Sequence, residues 1–496
     1  GPVVFVCDAF RECRVILDVD GERSIRSKRG QYGLGHDARF AVTLDDGNGG
    51  TDTAAVTLFI TACRARDSRL SAGVGYCFDA EFNTTHDGTK IDMTVYVPHP
   101  DRLAELTIGN LADGELGYAP LVIHSHGFGG SKAADLEVGT LHFVDLQTAR
   151  DAWQRGYFVI SFSERGFGQS GGQIGFMNPE VEGQDQNELL DWAIKHIRGP
   201  STIDGNDGIY DFTFDVNNAG HVSSASVADT RPSLLMNDEQ SRLQPTANDD
   251  SGDPSVGTLG YSYGGGYQYT FSHTDTDDVT ARTELERLDA LIPEGTWHDL
   301  RYSLHSNDTP KGYWATLLFG FAVNGGTASN GQPVPPFLVS VYQEAVVNGR
   351  VSPANQNVLG AHGTSFYCDE NNGVTTNAAL LHIQGVRDTL FDFNDGYNNA
   401  KCFADAGNDV RYLAVSGGHP LTITQQTIYT GQTTSMDIDE VIHCGTNSGT
   451  GTPQRLIVKD MMYDWFEEKL RGQANVADYI PKVCINQENT VEDDFL

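Results

Sequence analysis

Val256-Gly257-Thr258-Leu259-Gly260-Tyr261-Ser262-Tyr263-Gly264-Gly265-Gly266 runs from an apolar segment straight into glycines, with Ser262 at the centre of a G-x-S-x-G pentapeptide. Val256 to Leu259 reads as a short buried strand and Gly264 to Ser272 can open a helix, so Ser262 falls on a sharp strand-to-helix turn that holds a serine out for attack. A side chain at position 260 or 264 would meet the neighbouring strand or helix, which gives both glycines a mechanical reason. In a chain with 55 glycines the pentapeptide alone is equally compatible with an ordinary Gly-rich turn, so the flanking segments have to decide.

At 496 residues the chain is long enough for two or three folding units and a sizeable core. No stretch approaches the roughly 18 uninterrupted apolar residues of a membrane helix. Lys and Arg number 33 against 67 Asp and Glu, a formal charge of −34, and such a surface repels phosphate backbones and anionic lipid, so nucleic-acid and membrane partners are not expected. The cysteines fall into an early set, Cys7, Cys13, Cys63 and Cys77, and a late set, Cys368, Cys402, Cys444 and Cys484. None forms C-x-x-C, which removes the usual zinc and thioredoxin readings. An even count in a lysine-poor, Gly/Asn/Thr/Asp-rich chain points to disulfides and a secreted protein. No signal peptide is visible, and the opening Gly1-Pro2 is compatible with a protease-cleavage scar. We expect Cys368 to pair with Cys402, Cys444 with Cys484, and the early four among themselves.

Upstream of the elbow, residues 3 to about 70 alternate apolar and polar in short runs, Val3 to Val6, Val15 to Leu17, Phe40 to Leu44 and Ala54 to Ile60, broken by Asp-Gly and Gly-Gly turns. This is the mark of a small antiparallel β module, and we place it at residues 1–73. Thr43 to Thr53 resembles the closing hairpin of the cadherin-like and polycystic-kidney-disease-type Ig-like modules appended to bacterial secreted enzymes. Asp45, Asp46, Asn48 and Asp52 have the oxygens for a structural calcium, although acidic hairpin tips ordinarily face water. The same holds for Asp204-Gly205-Asn206-Asp207-Gly208, which lacks a distal bidentate glutamate and reads better as a solvated loop within an insertion of about forty residues.

From residue 74 onward the pattern changes. Ile91 to Val97 is a strand, and Pro120-Leu121-Val122-Ile123-His124 is the near-continuous apolar run of a strand buried on both faces. Ser125-His126-Gly127-Phe128-Gly129-Gly130 follows it directly. After a helix over Ala149 to Gly156 comes the strand Tyr157 to Phe162, then Ser163-Glu164-Arg165-Gly166-Phe167-Gly168-Gln169-Ser170-Gly171-Gly172. The H-G-F, the Arg-Gly turn and GYSYGGG together resemble the α/β-hydrolases of the Xaa-Pro dipeptidyl-peptidase and cocaine-esterase superfamily. The resemblance implies an α/β-hydrolase fold over residues 74–496, a mostly parallel central sheet flanked by helices. It implies oxyanion donors at the backbone N–H groups of Phe128 and Tyr263, with Arg165 bracing the active-site floor and His126 orienting its loop. Glu164 departs from the aspartate common in the family. Asp185 to His196 reads as an amphipathic covering helix. Gly295-Thr296-Trp297-His298-Asp299-Leu300 resembles the family's opening of a helical cap, expected at about 295–377, with Trp297, Tyr302, Trp314 and Phe319 as pocket candidates.

In this fold the acid and the histidine follow the serine, each on a loop after a later strand. Ala378 to Gln384 is such a strand and Gly385-Val386-Arg387-Asp388 puts a carboxylate just beyond it; Asp392 and Asp395 lie deeper, in the following helix. Val410 to Val415 reads as the last strand and Ser416-Gly417-Gly418-His419 ends in an imidazole, which leaves His443, on a loop beside Cys444, as the poorer candidate. The catalytic set is therefore expected to be Ser262, Asp388 and His419, acting without a cofactor. Ile457 to Gly472 reads as the final helix. Only residues 473–496 follow, without the β jelly-roll that full-length relatives carry there, which favours a secreted carboxylic-ester hydrolase over an Xaa-Pro peptidase. The alternative of another class, a non-catalytic surface-binding protein, fits less well with three chemical groups in the right order.

Overall fold

The computed structural model describes residues 3–7, 13–19, 22–25, 37–45, 51–59, 75–98, 118–133, 144–197, 233–235, 253–274, 287–327, 334–370, 376–415, 417–419, 441–446 and 453–486. Nine strands form the main sheet: β1 (Gly75–Asn83), β2 (Lys90–Pro98), β3 (Leu121–His124), β4 (Phe158–Phe162), β5 (Val256–Tyr261), β6 (Ala290–Glu294), β7 (Ala379–Gly385), β8 (Val410–Val415) and β9 (Val483–Ile485). Their order across the sheet is β9-β8-β7-β6-β5-β3-β4-β2-β1. The β1–β2 hairpin is antiparallel and β2 runs antiparallel to β4, whereas every pairing from β4 to β9 is parallel.

Parallel strands need crossovers, and five long helices supply the cover. These are α1 (Val144–Gln154), α2 (Glu182–His196), α3 (Tyr263–Thr274), α8 (Phe393–Ala406) and α9 (Val458–Arg471). The strands are buried on both faces, so their apolar residues alternate between two cores. Leu121, Ile123, Leu291 and Leu380 pack with Leu189, Tyr267 and Phe271 of α2 and α3. Val122, Leu259, Ile292 and Leu381 pack on the other side with Trp153 of α1 and Met461, Trp465 and Phe466 of α9.

Between β6 and β7 the chain leaves the sheet as four short helices, α4 (Leu300–His305), α5 (Gly312–Phe321), α6 (Pro336–Gln343) and α7 (Pro353–Gly360). Asp299 caps α4 by accepting the Arg301 N–H, and Ser352 caps α7 through the Asn355 N–H. The Cys368–Cys402 disulfide ties the chain beyond α7 to α8, and Cys444–Cys484 ties β9 to the strand Val441–Thr446. No helix among the described residues is long and apolar enough to cross a membrane.

The structure corrects three readings of the sequence. Val410 to Val415 is not the last strand, because Val483–Ile485 adds to its free edge. β1 was not anticipated; nothing in its sequence sets it apart until it pairs with β2. His443 lies on a strand rather than a loop, paired antiparallel with Pro453–Ile457, its N–H bonded to Asn486 Oδ1 at 3.0 Å. Near the N-terminus, Val3–Cys7, Cys13–Val19 and Glu22–Ile25 form a three-stranded antiparallel sheet, and Asp37–Asp45 pairs with Thr51–Phe59. The pairing of the early cysteines and both calcium candidates fall outside the described side chains. Among the described residues no group of three or more His, Cys, Asp or Glu could hold a metal ion.

Candidate active site

β5 ends at Tyr261 and α3 begins at Tyr263, so Ser262 is the whole connection between them. Its φ of 59° is left-handed, a conformation that a residue with a Cβ adopts only where the surroundings hold it there. The Ser262 N–H donates to Glu294 O at 2.8 Å, and Gly265 and Gly266 donate back to Ser262 O. The glycines on either side allow the approach: a Cβ on Gly260 would lie 2.5 Å from Gly264 O, and one on Gly264 would lie 2.5 Å from Ser125 O.

Two loops from the far half of the sheet reach this turn. Asp388 follows β7. Its Oδ1 accepts the N–H groups of Leu390 and Phe391 at 2.8 and 2.9 Å, which leaves Oδ2 aimed at His419 Nδ1, 2.7 Å away. His419, four residues past β8, presents Nε2 to Ser262 Oγ at 2.9 Å. All three side chains are buried. The structure thus brings Ser262, His419 and Asp388 into one hydrogen-bonded line, and it assigns the competing acids elsewhere. Asp392 caps α8 through the N–H groups of Asn394 and Asp395. Asp395 is buried, accepting the His298 N–H and the Ser303 hydroxyl, and burial pushes its carboxyl up to about 7.

The loop after β3 closes the other side. His126 Nδ1 lies 2.8 Å from Gly127 O, while its Nε2 accepts the Glu164 N–H at 3.1 Å. One ring nitrogen therefore donates and the other accepts. Burial also pushes the imidazole down to about 4, so this is a neutral ring with a fixed tautomer, suited to shaping the loop rather than moving a proton. Phe128 follows, its ring edge-on to Tyr263 at 5.1 Å and to Phe167 at 5.1 Å. The Tyr263 N–H opens α3, where backbone donors have no partner within the helix. Beneath the loop, Arg165 grips Asp185 with two hydrogen bonds of 2.6 and 2.7 Å and reaches Asp87 at 2.9 Å. Glu164 is fully buried and accepts the Ser125 hydroxyl at 2.7 Å; burial pushes its carboxyl up.

Helix α5 of the cap spans the site. Trp314 meets the His419 ring edge-on at 5.4 Å, while Ala315, Leu318 and Phe319 on another side of the helix, with Ala322 just past its end, line a cavity of about 60 Å³. Phe128 and Phe176 form its wall toward the elbow and Leu338, Tyr342 and Val351 its far side, so no charged residue among the described residues lines it. Of the four aromatic pocket candidates, Phe319 lines this cavity. Trp297 stands behind it, packed at a tilt against Phe176, Tyr263 and Phe391 with its indole N–H on His362 O. Tyr302 faces the surface, where its hydroxyl bonds Asp392 and Asn394. Sequence reasoning missed Phe176, and it missed Tyr261, whose hydroxyl lies 3.1 Å from His419 Nδ1. A tyrosine beside the serine carries no signal of that contact, because its partner is 158 residues away.

Eight strands in the order 1-2-4-3-5-6-7-8, with a serine at the turn after β5, define an α/β-hydrolase. Residues 87–318 match the X-Pro dipeptidyl-peptidase (S15) family. The core has the α/β-hydrolase fold, and the motifs around Phe128, Arg165 and Ser262 lie within the matched residues. Among solved structures the chain is similar to a CocE/NonD family hydrolase from Staphylococcus aureus, at 11% identity over 91% of this chain and 56% of that one, TM-score 0.47. It is also similar to acetyl xylan esterase 1 from Thermoanaerobacterium sp., at 12% identity over 71% and 81% of the two chains, TM-score 0.36. An esterase from Pyrococcus furiosus shows 13% identity over 72% and 87%, TM-score 0.34. The chain thus spans little more than half the length of the staphylococcal hydrolase. No curated protein matches it.

Proposed function

We propose that this protein is a secreted serine hydrolase that cleaves carboxylic esters of apolar acyl groups. The observation that carries the reading is the hydrogen-bonded line from Ser262 Oγ to His419 Nε2 at 2.9 Å and from His419 Nδ1 to Asp388 at 2.7 Å. His419 takes the hydroxyl proton as Ser262 Oγ attacks the ester carbonyl, and Asp388 keeps the other imidazole proton on Nδ1 and stabilises the imidazolium. The N–H groups of Phe128 and Tyr263 receive the oxyanion. The intermediate collapses to an acyl-serine, and His419 returns the proton to the leaving alkoxide. Water then repeats the cycle to release the acid, and no cofactor enters.

An ester is preferred to an Xaa-Pro peptide because a dipeptidyl peptidase must hold a free ammonium group. A carboxylate is the ordinary partner for one, whereas the described residues that line the cavity against Phe128 are aliphatic and aromatic side chains suited to an acyl chain. The Cys368–Cys402 and Cys444–Cys484 disulfides support an oxidising compartment. Residues 1–73 are on this reading an accessory module, since every group named above lies downstream.

The test sets p-nitrophenyl esters of graded chain length beside Xaa-Pro anilides, with a fluorophosphonate to label the nucleophile. Ester turnover should dominate. Labelling of Ser262 should be lost in His419→Ala, because an unassisted hydroxyl is a weak nucleophile. Anilide turnover exceeding ester turnover would return the peptidase reading. An inert protein that still binds a surface would favour the non-catalytic one.

A further inference from the structure

Phe176 and Met177 stand side by side in the loop between β4 and α2 with φ of 69° and 63°. Both are buried, at 6% and 0% exposure, and neither is a residue that adopts left-handed backbone unaided. Something must hold them. Glu182, the first residue of α2, is fully buried, and its two carboxylate oxygens accept the N–H groups on either side of the pair, Gly175 at 2.5 Å and Asn178 at 3.0 Å. A Cβ on Gly175 would collide with that carboxylate, so the loop closes on Glu182 only because this position is glycine. None of the hydrogen bonds of Glu182 goes to Ser262, His419 or Asp388.

The strained geometry places the Phe176 ring. It packs against Phe128 at 5.3 Å, Tyr263 at 6.0 Å and Trp297 at 6.4 Å, and it lines the apolar cavity beneath the cap. It therefore joins Phe128 in the wall of the space open to an acyl chain, with Tyr263 behind it. Strained residues concentrate at ligand clamps because the surroundings there select one conformation.

We propose that Glu182 is a positioning residue that clamps the 175–178 loop so that Phe176 forms the wall of the acyl cavity and sets the length of linear acyl chain accepted. This rests on the ester-hydrolase reading above.

The experiment measures kcat and KM for p-nitrophenyl acetate, butyrate, hexanoate, octanoate and decanoate with the full chain and with Glu182→Gln, Phe176→Ala and the double variant. Glutamine keeps the shape but turns one acceptor into a donor facing a backbone N–H, which opens the clamp. The octanoate-to-butyrate ratio of kcat/KM should change by about tenfold in Phe176→Ala, the scale of losing or gaining apolar contact in a pocket. It should change in the same direction in Glu182→Gln, through the KM of the long esters. The double variant should go no further than Phe176→Ala, because Glu182 acts through that ring. Gly175→Ala, whose Cβ would meet the Glu182 carboxylate and push the same clamp apart from the loop side, carries the same test should Glu182→Gln not fold. A uniform fall across all chain lengths, or fully additive shifts, would overturn the proposal. Absence of ester turnover by the unaltered protein would overturn the ester reading and this proposal together; turnover with an unshifted profile overturns this proposal alone.

Discussion

Asp388→Asn tests the chemistry through a single atom exchange. Oδ1 of Asp388 accepts two buried backbone N–H groups, from Leu390 and Phe391, and Oδ2 faces His419 Nδ1, with Gln384 Nε2 3.5 Å away but giving its closer bond, 2.7 Å, to Phe391 O. An asparagine in the same rotamer can place its NH₂ in one of two positions. If the NH₂ faced Leu390 and Phe391, two buried donors would lose their acceptor at about 1–3 kcal/mol each. The amide oxygen therefore stays with the backbone and the NH₂ turns to His419. Nδ1 must then accept, which moves the imidazole proton to Nε2. There it points at Ser262 Oγ across 2.9 Å as a donor, and the ring can no longer take the hydroxyl proton. The wrong tautomer predicts a loss of about 10⁴-fold in kcat, roughly 5.4 kcal/mol of barrier, with the fold intact because both N–H groups keep their acceptor. Stopped-flow hydrolysis of p-nitrophenyl butyrate reads the acylation burst, and a thermal melt confirms folding. A folded variant within about tenfold of the unaltered protein would refute the proposed role of Asp388.

Tyr261→Phe removes the second oxygen beside His419 Nδ1. We expect kcat/KM to fall about threefold to tenfold in a variant that melts like the unaltered protein, since a hydrogen-bonding partner that steadies the imidazole is gone; an unchanged kcat/KM would reduce the contact to packing. Asp395, pushed up to about 7 by burial, has a folded pKa above that of an unfolded aspartate, near 3.9. Its contribution to stability is therefore complete below pH ~4 and lost as pH rises through about 7, so Asp395→Asn should gain on the unaltered protein from pH 4 to pH 8, by up to about 4 kcal/mol. Denaturant melts across that range would show the opposite slope if the His298 N–H and the Ser303 hydroxyl outweighed burial. Removing the Cys368–Cys402 bridge, which closes a separation of 34 residues, should cost about 3–4 kcal/mol in chemical denaturation, and an unchanged midpoint would show that the bridge does not constrain the unfolded chain.

The sequence alone was sufficient for whatever local chemistry dictates. Leu121–His124, Phe158–Phe162, Val256–Tyr261 and Val410–Val415 are short, mostly apolar runs followed by turn residues, and a strand covered on both faces has to look like that. The elbow could be read because a serine at φ 59° on the tight turn from a buried strand into a helix needs glycine at fixed offsets. Asp388 could be chosen over Asp392 and Asp395 because only the first residues past a strand's end face the site. What depends on partners far along the chain stayed hidden. β9 is three residues long and is a strand only because β8 offers it an edge, and β1 takes its meaning from the hairpin with β2. Tyr261 looks like any apolar residue at a strand's end until β8 and its loop bring His419 against its hydroxyl. Glu182 looks like a first-turn helix acid, of the kind that favours a helix N-terminus, until the loop before it folds back and buries the carboxylate against two amides. These roles arise from groups desolvated together, and only the tertiary structure decides which groups share an interior.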